Sequence, residues 1–374
     1  MSLLFTVPCL IVIANWLWPL PLPLWLKLSG AVLIGAGAHF YTWSRLSSGS
    51  PFSPEFPRPI VILFNWAFAA IGFLAVFQLV LDLAALVQAG VLWHMPHIPT
   101  AFRIVAGILA ALLSALGVIN VVRVPPIKDI TVTIPGLPAS FDGYRLLQLT
   151  DMHISTLFPC SWAQAVVERA NTAGADLIVV TGDFIDGSVA MRQKACAPLH
   201  ALSAPDGVFA VPGNHEYFFD YTEWMQHLSA LGFQLLLNTH TVITRGDDKL
   251  TVAGVTDLSA PQHDQAGPDL AAALRNAPPN APIILLDHQP RQALLAAQQG
   301  IALQLSGHTH GGMIKGLDWL VARANKGFVS GIYTVGSMTL YVSNGTGLWP
   351  GFALRLGVPP EMTRISLRSD AITS

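Results

Sequence analysis

Eight residues in five short clusters carry the chemistry open to this chain. Asp151 and His153 follow the apolar run RLLQLT, and Asp183 follows LIVVTG. Asn214 and His215 follow VFAVPG, His288 follows IILLD, and His308 and His310 follow LQLSG. Taken singly, an Asp-x-His or a Gly-Asp after a strand is an ordinary loop. Five such clusters in one chain, each closing an apolar run, point instead to a common site. Carboxylates, imidazoles and an amide oxygen suit hard or borderline divalent ions such as Mn²⁺, Fe²⁺ and Zn²⁺. Seven of the eight (Asp151, His153, Asp183, Asn214, His288, His308, His310) exceed what one ion with open positions would take. They fit two ions about 3.5–4 Å apart that share a carboxylate. Gly182, Gly213 and Gly307 precede three of the clusters and are expected to turn the backbone sharply toward the ions.

The elements that must position these residues are legible from Tyr144 onward. Short apolar strands are expected at 144–150, 176–180, 208–211, 249–253, 282–286, 302–305, 333–335, 340–342 and 363–367. Helix-like runs at 162–173, 189–202, 221–231, 268–276 and 290–299 lie between them. Such alternation predicts an α/β domain with buried strands. Ligands of such sheets sit beyond the C-terminal strand ends, which is where all five clusters fall.

The segments Asp151-Met-His153, Gly182-Asp183, Gly213-Asn214-His215-Glu216, His288 and Gly307-His308-Thr309-His310 resemble the signature of the calcineurin-like metallophosphoesterases. The wording GNHEY, DHQP, GHTHGG, LYVSNGTG and LRLGVPPE resembles the membrane-associated branch of that family. The resemblance covers roughly residues 146–374. It implies a two-sheet sandwich flanked by helices. It also implies that Asp151, His153 and His310 hold one metal, that Asn214, His288 and His308 hold the other, and that Asp183 bridges them. His215 would face the substrate as general acid or charge stabiliser, and a metal-bridging hydroxide would be the nucleophile. Met313 stands where many relatives carry a polar residue, which bears on substrate preference and not on metal binding.

The first third has a different composition. The chain is 52% hydrophobic and 11% charged, against about 25% charge in an average soluble domain. Residues 1–124 contain only Lys27, Arg45, Arg58, Arg103, Arg123, Glu55 and Asp82 as charged residues. Four apolar stretches, 3–18, 24–43, 59–78 and 104–122, approach the roughly 20 residues needed to cross a bilayer. The expected organisation is therefore a four-helix transmembrane bundle over 1–124, a Pro-containing linker over 125–143, and the metallophosphoesterase domain over 144–374. The first stretch lacks a basic n-region and a small-residue cleavage site, so it reads as a span and not as a signal peptide. Arg45, Arg58, Arg123 and Lys128 on one side, against Lys27 and Arg103 on the other, favour a cytoplasmic catalytic domain in a plasma or inner membrane.

Residues 125–374 carry 15 basic and 20 acidic residues, the difference between the whole-chain totals and the first third, so nucleic acid is not expected as a partner. Cys9, Cys160 and Cys196 match no zinc or redox spacing. The expected partners are membrane lipids and a phosphoester substrate, with a lipid-linked one among the candidates. Met152, Phe184, Tyr217, Phe218, Phe219 and Met313 would then line an acyl groove or else belong to the core. Asp186 would orient a ligand or end a turn, and Glu216 would be a structural or a functional carboxylate. His200, His227, His240 and His263 have no motif context. The run 319–329, with Arg323 and Lys326 among apolar residues, reads as an exposed loop, with contact to substrate or lipid headgroups as the alternative. The competing functions are a non-catalytic metal-binding membrane scaffold and a transporter bundle with a regulatory metal domain; the complete ligand set and the sparse intramembrane charge speak against them.

Overall fold

Pro57 in extended conformation and Pro59 in the first turn, where a missing N–H costs nothing, open a helix of 35 residues. The computed structural model describes residues 2–94 and 96–370. They divide into two units, the first comprising Met1–Val121 and Pro350–Leu356, the second Val122–Trp349 and the chain from Gly357 onward.

The first unit is helical. α1 (Ser2–Ile11) continues into a π-helical segment (Val12–Leu17), followed by α2 (Leu24–Ala38), α3 (Phe40–Ser48), α4 (Arg58–Leu92) and α5 (Thr100–Val122). Two of the four expected spans, α4 and α5, are long and apolar enough to cross a membrane. The other two stretches form shorter helices, because 18–23 carries four residues of Leu-Pro repeat and His39 leaves helical geometry between α2 and α3. α4 also outruns its expected end at Gln78 by fourteen residues. Close packing uses small residues: a Cβ on Gly107 would lie 2.7 Å from the Trp16 ring, whose Nε1 donates to Arg103 O. The returning segment 350–356 is held by Asn65, which donates to Pro350 O and accepts from Ala353 N. One polar network was not foreseen: Asn15 and Gln78 both donate to the Asp82 carboxylate at 2.7 Å.

Among the described residues, the second unit holds twelve strands in two six-stranded mixed sheets. The first has the order β1 (Ile127–Ile134), β12 (Met362–Ser369), β2 (Arg145–Leu149), β3 (Leu177–Thr181), β4 (Val208–Val211), β5 (Gln234–Leu235). The second has the order β10 (Gly331–Val335), β11 (Met338–Val342), β9 (Leu303–Ser306), β8 (Ile283–Leu286), β7 (Asp248–Gly254), β6 (Thr239–Arg245). Leu146, Val179 and Phe209 of one sheet and Leu250, Ile284, Leu303 and Tyr341 of the other share one buried core, so the sheets pack face to face. The helices are α6 (Cys160–Asn171), α7 (Val189–Cys196), α8 (Asn214–Phe218), α9 (Tyr221–Ala230), α10 (Leu270–Ala273), α11 (Ala293–Gln298) and α12 (Asp318–Ala324).

The stretch expected as a linker is a correction. Residues 127–134 form β1, paired in parallel with β12 from Ile127↔Met362 to Ile134↔Ser369. Its prolines lie outside that run, at 125, 126, 135 and 138, where they remove no ladder donor.

Candidate metal centre

Parallel pairing of β2, β3 and β4 in one sheet, and of β7, β8 and β9 in the other, places the strand ends that carry the clusters together. Asp151, His153, Asp183, His308 and His310 all adopt positive φ, between 47° and 69°. Non-glycine residues rarely take this conformation, and five in one site mark a backbone held there by its surroundings. The expectation for the preceding glycines holds in part. Gly182 has φ +90° and needs glycine for its turn. Gly213 and Gly307 serve by leaving space: a Cβ on Gly213 would overlap Asp183 Oδ1, and one on Gly307 would overlap Asp151 Oδ2.

The side chains converge on two groups. Asp151, His153 and His310 form one, with His153 Nε2 3.3 Å from His310 Nε2 and His310 Nε2 3.5 Å from Asp151 Oδ1. Asp183, His288 and His308 form the other, joined by Asn214, whose Oδ1 lies 3.1 Å from His288 Nε2 and 2.9 Å from His308 Nδ1. Asp183 Oδ2 stands 3.3 Å from His288 Nε2 and 3.7 Å from His153 Nε2, so one carboxylate reaches both groups. All eight motif residues are thus brought to one place.

Hydrogen bonding shows that this set fits divalent ions. His288 Nδ1 lies 2.7 Å from Thr181 O, a carbonyl that can only accept, so Nδ1 carries a proton and Nε2 is the ring atom that faces Asp183 and would meet an ion. His153 Nδ1 likewise donates to Asp186 Oδ2 at 3.1 Å, which turns its Nε2 lone pair on His310 Nε2. Two ligand nitrogens at about 2.1 Å from one ion, about 100° apart, would be separated by roughly the observed spacing. The electrostatics agree. Burial opposes a charge on His288, yet Asp183 and Asp151 hold its pKa well above the ordinary value; the cluster is short of positive charge. Burial and the neighbouring His288 push His308 down to about 3, leaving a neutral, ligand-competent imidazole.

Two further buried carboxylates support the site, Asp186 behind His153 and Glu216 behind Asp183. Asp186 is buried and accepts from both His153 Nδ1 and, at 2.5 Å, His215 Nδ1, which resolves it as an orienting group and not a turn terminator. Glu216 accepts from Asp183 N, Phe184 N and Gly213 N, clamping the loops after β3 and β4 together. Burial and Asp183 push Glu216 up to about 8. Burial opposes a charge on His215, but Asp183 and Asp186 raise its pKa to about 9. Thr150, whose hydroxyl donates to Asp151 Oδ2, and Trp349, with its ring centroid 5.0 Å from that of His310, had no motif to announce them. Met152, Phe184 and Tyr217 are buried core residues, whereas Phe218 is 39% exposed, with its centroid 5.1 Å from His215.

With this geometry in place, comparison with known proteins is decisive. Residues 144–312, which contain every motif residue, match the calcineurin-like phosphoesterase family. An uncharacterized metallophosphoesterase of Bacillus subtilis, YkuE, is 32% identical over 240 residues, covering 62% of this chain and 82% of that protein. The chain belongs to the calcineurin-like phosphoesterase family. It is also 34% identical over 277 residues to the transmembrane protein with metallophosphoesterase domain of Danio rerio, covering 71% of this chain and 62% of that protein; the Bos taurus protein of the same name gives 34% over 276 residues, with the same coverage. The chain spans about three-fifths of the length of these two relatives. Among solved structures, the calcineurin-like phosphoesterase YfkN of Bacillus subtilis aligns with a TM-score of 0.38 at 16% identity, covering 54% of this chain and 81% of that one. The family is metal-dependent, and the candidate clusters Asp151/His153/His310 and Asp183/His288/His308 lie inside the matched region.

Asp186 generates a direct prediction. Asp186→Asn keeps the shape but offers an amide to one of two imidazole N–H groups. It is expected to weaken divalent-ion binding by about 10–100-fold. Isothermal titration of Mn²⁺ into the metal-stripped protein checks this, and affinity within twofold of the unaltered protein would contradict it.

Proposed function

We propose that the chain is a membrane-anchored phosphoesterase that binds two divalent ions, Mn, Fe or Zn, and hydrolyses a phosphomonoester, phosphodiester or pyrophosphate. The observation that carries this reading is the position of Asp183 Oδ2 between His288 Nε2 and His153 Nε2. In it, Asp151, His153 and His310 hold one ion, Asn214, His288 and His308 the other, and Asp183 both. Bound there, the ions would lower the pKa of a water from about 15.7 towards 7 and neutralise charge on the phosphoryl oxygens.

The chain's own groups do the remainder. Asp186 holds His215 by Nδ1, leaving Nε2 turned toward Asp183 Oδ2 at 3.9 Å, on the metal-facing side. His215 carries a proton at Nε2, supported by the same two carboxylates, and passes it to the departing oxygen or donates a hydrogen bond to the phosphoryl group. Phe218 beside His215 and the half-buried Trp349 beside His310 flank the site with aromatic surface. That rim supports an amphipathic substrate, with a lipid-linked phosphoester as the preferred class.

The first unit is read as multi-pass, with the two shorter apolar helices joining α4 and α5 in the membrane. The relatives named as transmembrane proteins support a membrane location. Arg45, Arg58, Arg123 and Lys128 support a cytoplasmic second unit. Alkaline phosphatase fused to the C-terminus is therefore expected to be inactive in cells, and an active fusion would place the domain outside. For the chemistry, His215→Ala is expected to retain metal and to lose about 10²–10⁴-fold in kcat on substrates with poor leaving groups. Turnover within a few-fold of the unaltered protein, or loss of metal with the side chain, would overturn the role assigned to His215.

A further inference from the structure

Immediately after the His308–His310 turn the chain makes a short outlying helix with an unusual surface. No residue of α12 is buried. Trp319 is 57% exposed, Leu320 52%, and Leu317, just before the helix, 49%. Arg323 and Ala324 are exposed as well, while Asp318, Val321 and Ala322 are half-buried. At about 100° per residue, Trp319, Arg323, Leu320 and Ala324 fall within an arc of about 140° and the half-buried three lie opposite. A tryptophan and two leucines on the outer side of one turn are more than the scattered single apolar residues that any surface carries.

The charges around this patch are selective. Residues 313–330 contain Lys315, Arg323 and Lys326 as bases and Asp318 as the only acid, a local net charge of +2 in a region, 125–374, that totals −5. Asp318 is already engaged: its Oδ1 accepts from Gly316 N and its Oδ2 lies 3.4 Å from Lys315 Nζ. Arg323 and Lys326 are exposed. Trp and Leu beside Lys and Arg on one helix face is the composition of segments that lie in a bilayer interface, apolar side chains below the headgroups and bases among them.

The helix is also tied firmly to the metal centre. Gly312 sits against its first residue so closely that a Cβ there would lie 2.6 Å from Asp318 Cα. On the far side of the helix, Thr309, between His308 and His310, donates from Oγ1 to Val329 O at 2.7 Å. We propose that the outer face of α12, with Leu317, Trp319, Leu320, Arg323 and Lys326, is a docking surface for an anionic lipid leaflet. Docked there, it would hold the His308–His310 turn at headgroup depth. The same chain supplies two helices of membrane-crossing length, so a bilayer is within reach of the protein by construction. The inference does not depend on which phosphoester is hydrolysed, and it is read without turnover.

The test uses the full chain, with Cys9, Cys160 and Cys196 replaced by Ala, carrying a single cysteine labelled with an environment-sensitive nitrobenzoxadiazole dye. One variant is Leu320→Cys. The other is Asp247→Cys, on the exposed turn between β6 and β7. Each is reconstituted into vesicles of phosphatidylcholine with or without phosphatidylglycerol, and compared with protein in detergent. In phosphatidylglycerol vesicles, the dye at position 320 is expected to shift to the blue, to be shielded several-fold from iodide and to be quenched by brominated lipid; the dye at 247 stays solvent-like. Adding Arg323→Glu and Lys326→Glu is expected to reverse the shielding at 320 in the anionic vesicles. The inference is overturned if positions 320 and 247 behave alike in anionic vesicles. It is equally overturned if position 320 is shielded from iodide but not quenched by brominated lipid, which would mean that protein covers the face.

Discussion

Four carboxylates, those of Asp151, Asp183, Asp186 and Glu216, are buried together at the ends of the central strands. Burying one ionised carboxylate is costly, and four in one place are tolerable only if each is hydrogen-bonded and the group is balanced by positive charge. The backbone supplies part of the answer. Asp151 accepts from His308 N, Asp183 from His215 N, and Glu216 from three N–H groups of the loops after β3 and β4. These bonds hold the ligand loops in left-handed conformations that their side chains would otherwise avoid. Positive charge is in demand here: Asp183 and Asp151 hold the pKa of His288 well above its ordinary value, and Asp183 and Asp186 raise that of His215 to about 9. Divalent ions answer that demand, and the remainder of the site follows from keeping a place for them.

Much of this arrangement was legible because it rests on residue type at strand ends. An apolar run followed by Asp-x-His or Gly-Asn-His reads the same on paper and in the sheet. Asp186 and Glu216 could not be resolved so, since three residues after Asp183 or one after His215 says nothing of which way a side chain points. Only the folded loops show Asp186 between two imidazoles. β1 was missed because Pro125, Pro126, Pro135 and Pro138 dominated its reading, although the intervening IKDITVTI has the alternation of a strand. The apolar residues near the motifs were ambiguous for the converse reason. Met152, Phe184 and Tyr217 are needed to pack the backs of the ligand loops, and Phe218 alone of that run is well exposed.

The helical unit shows where composition misleads. Hydropathy places spans but not their ends: α4 runs far past its most apolar window, and the stretch after α2 breaks at His39. Polar residues that looked incidental in the sequence, Asn15 and Gln78, are partners of Asp82, so the one acidic group of α4 is not left to hydrocarbon. A single buried asparagine, Asn65, ties down a segment nearly three hundred residues away in sequence, a relation that no local pattern could convey.

The central claim is that Asp183 serves two ions. Elemental analysis of protein purified under metal-replete conditions, before and after Asp183→Asn, tests it most directly. The expected result is close to two equivalents of divalent metal per chain, falling to one or fewer on substitution, while His288→Ala and His153→Ala each leave one. A stoichiometry that never exceeds one, or that is unchanged by Asp183→Asn, would contradict it.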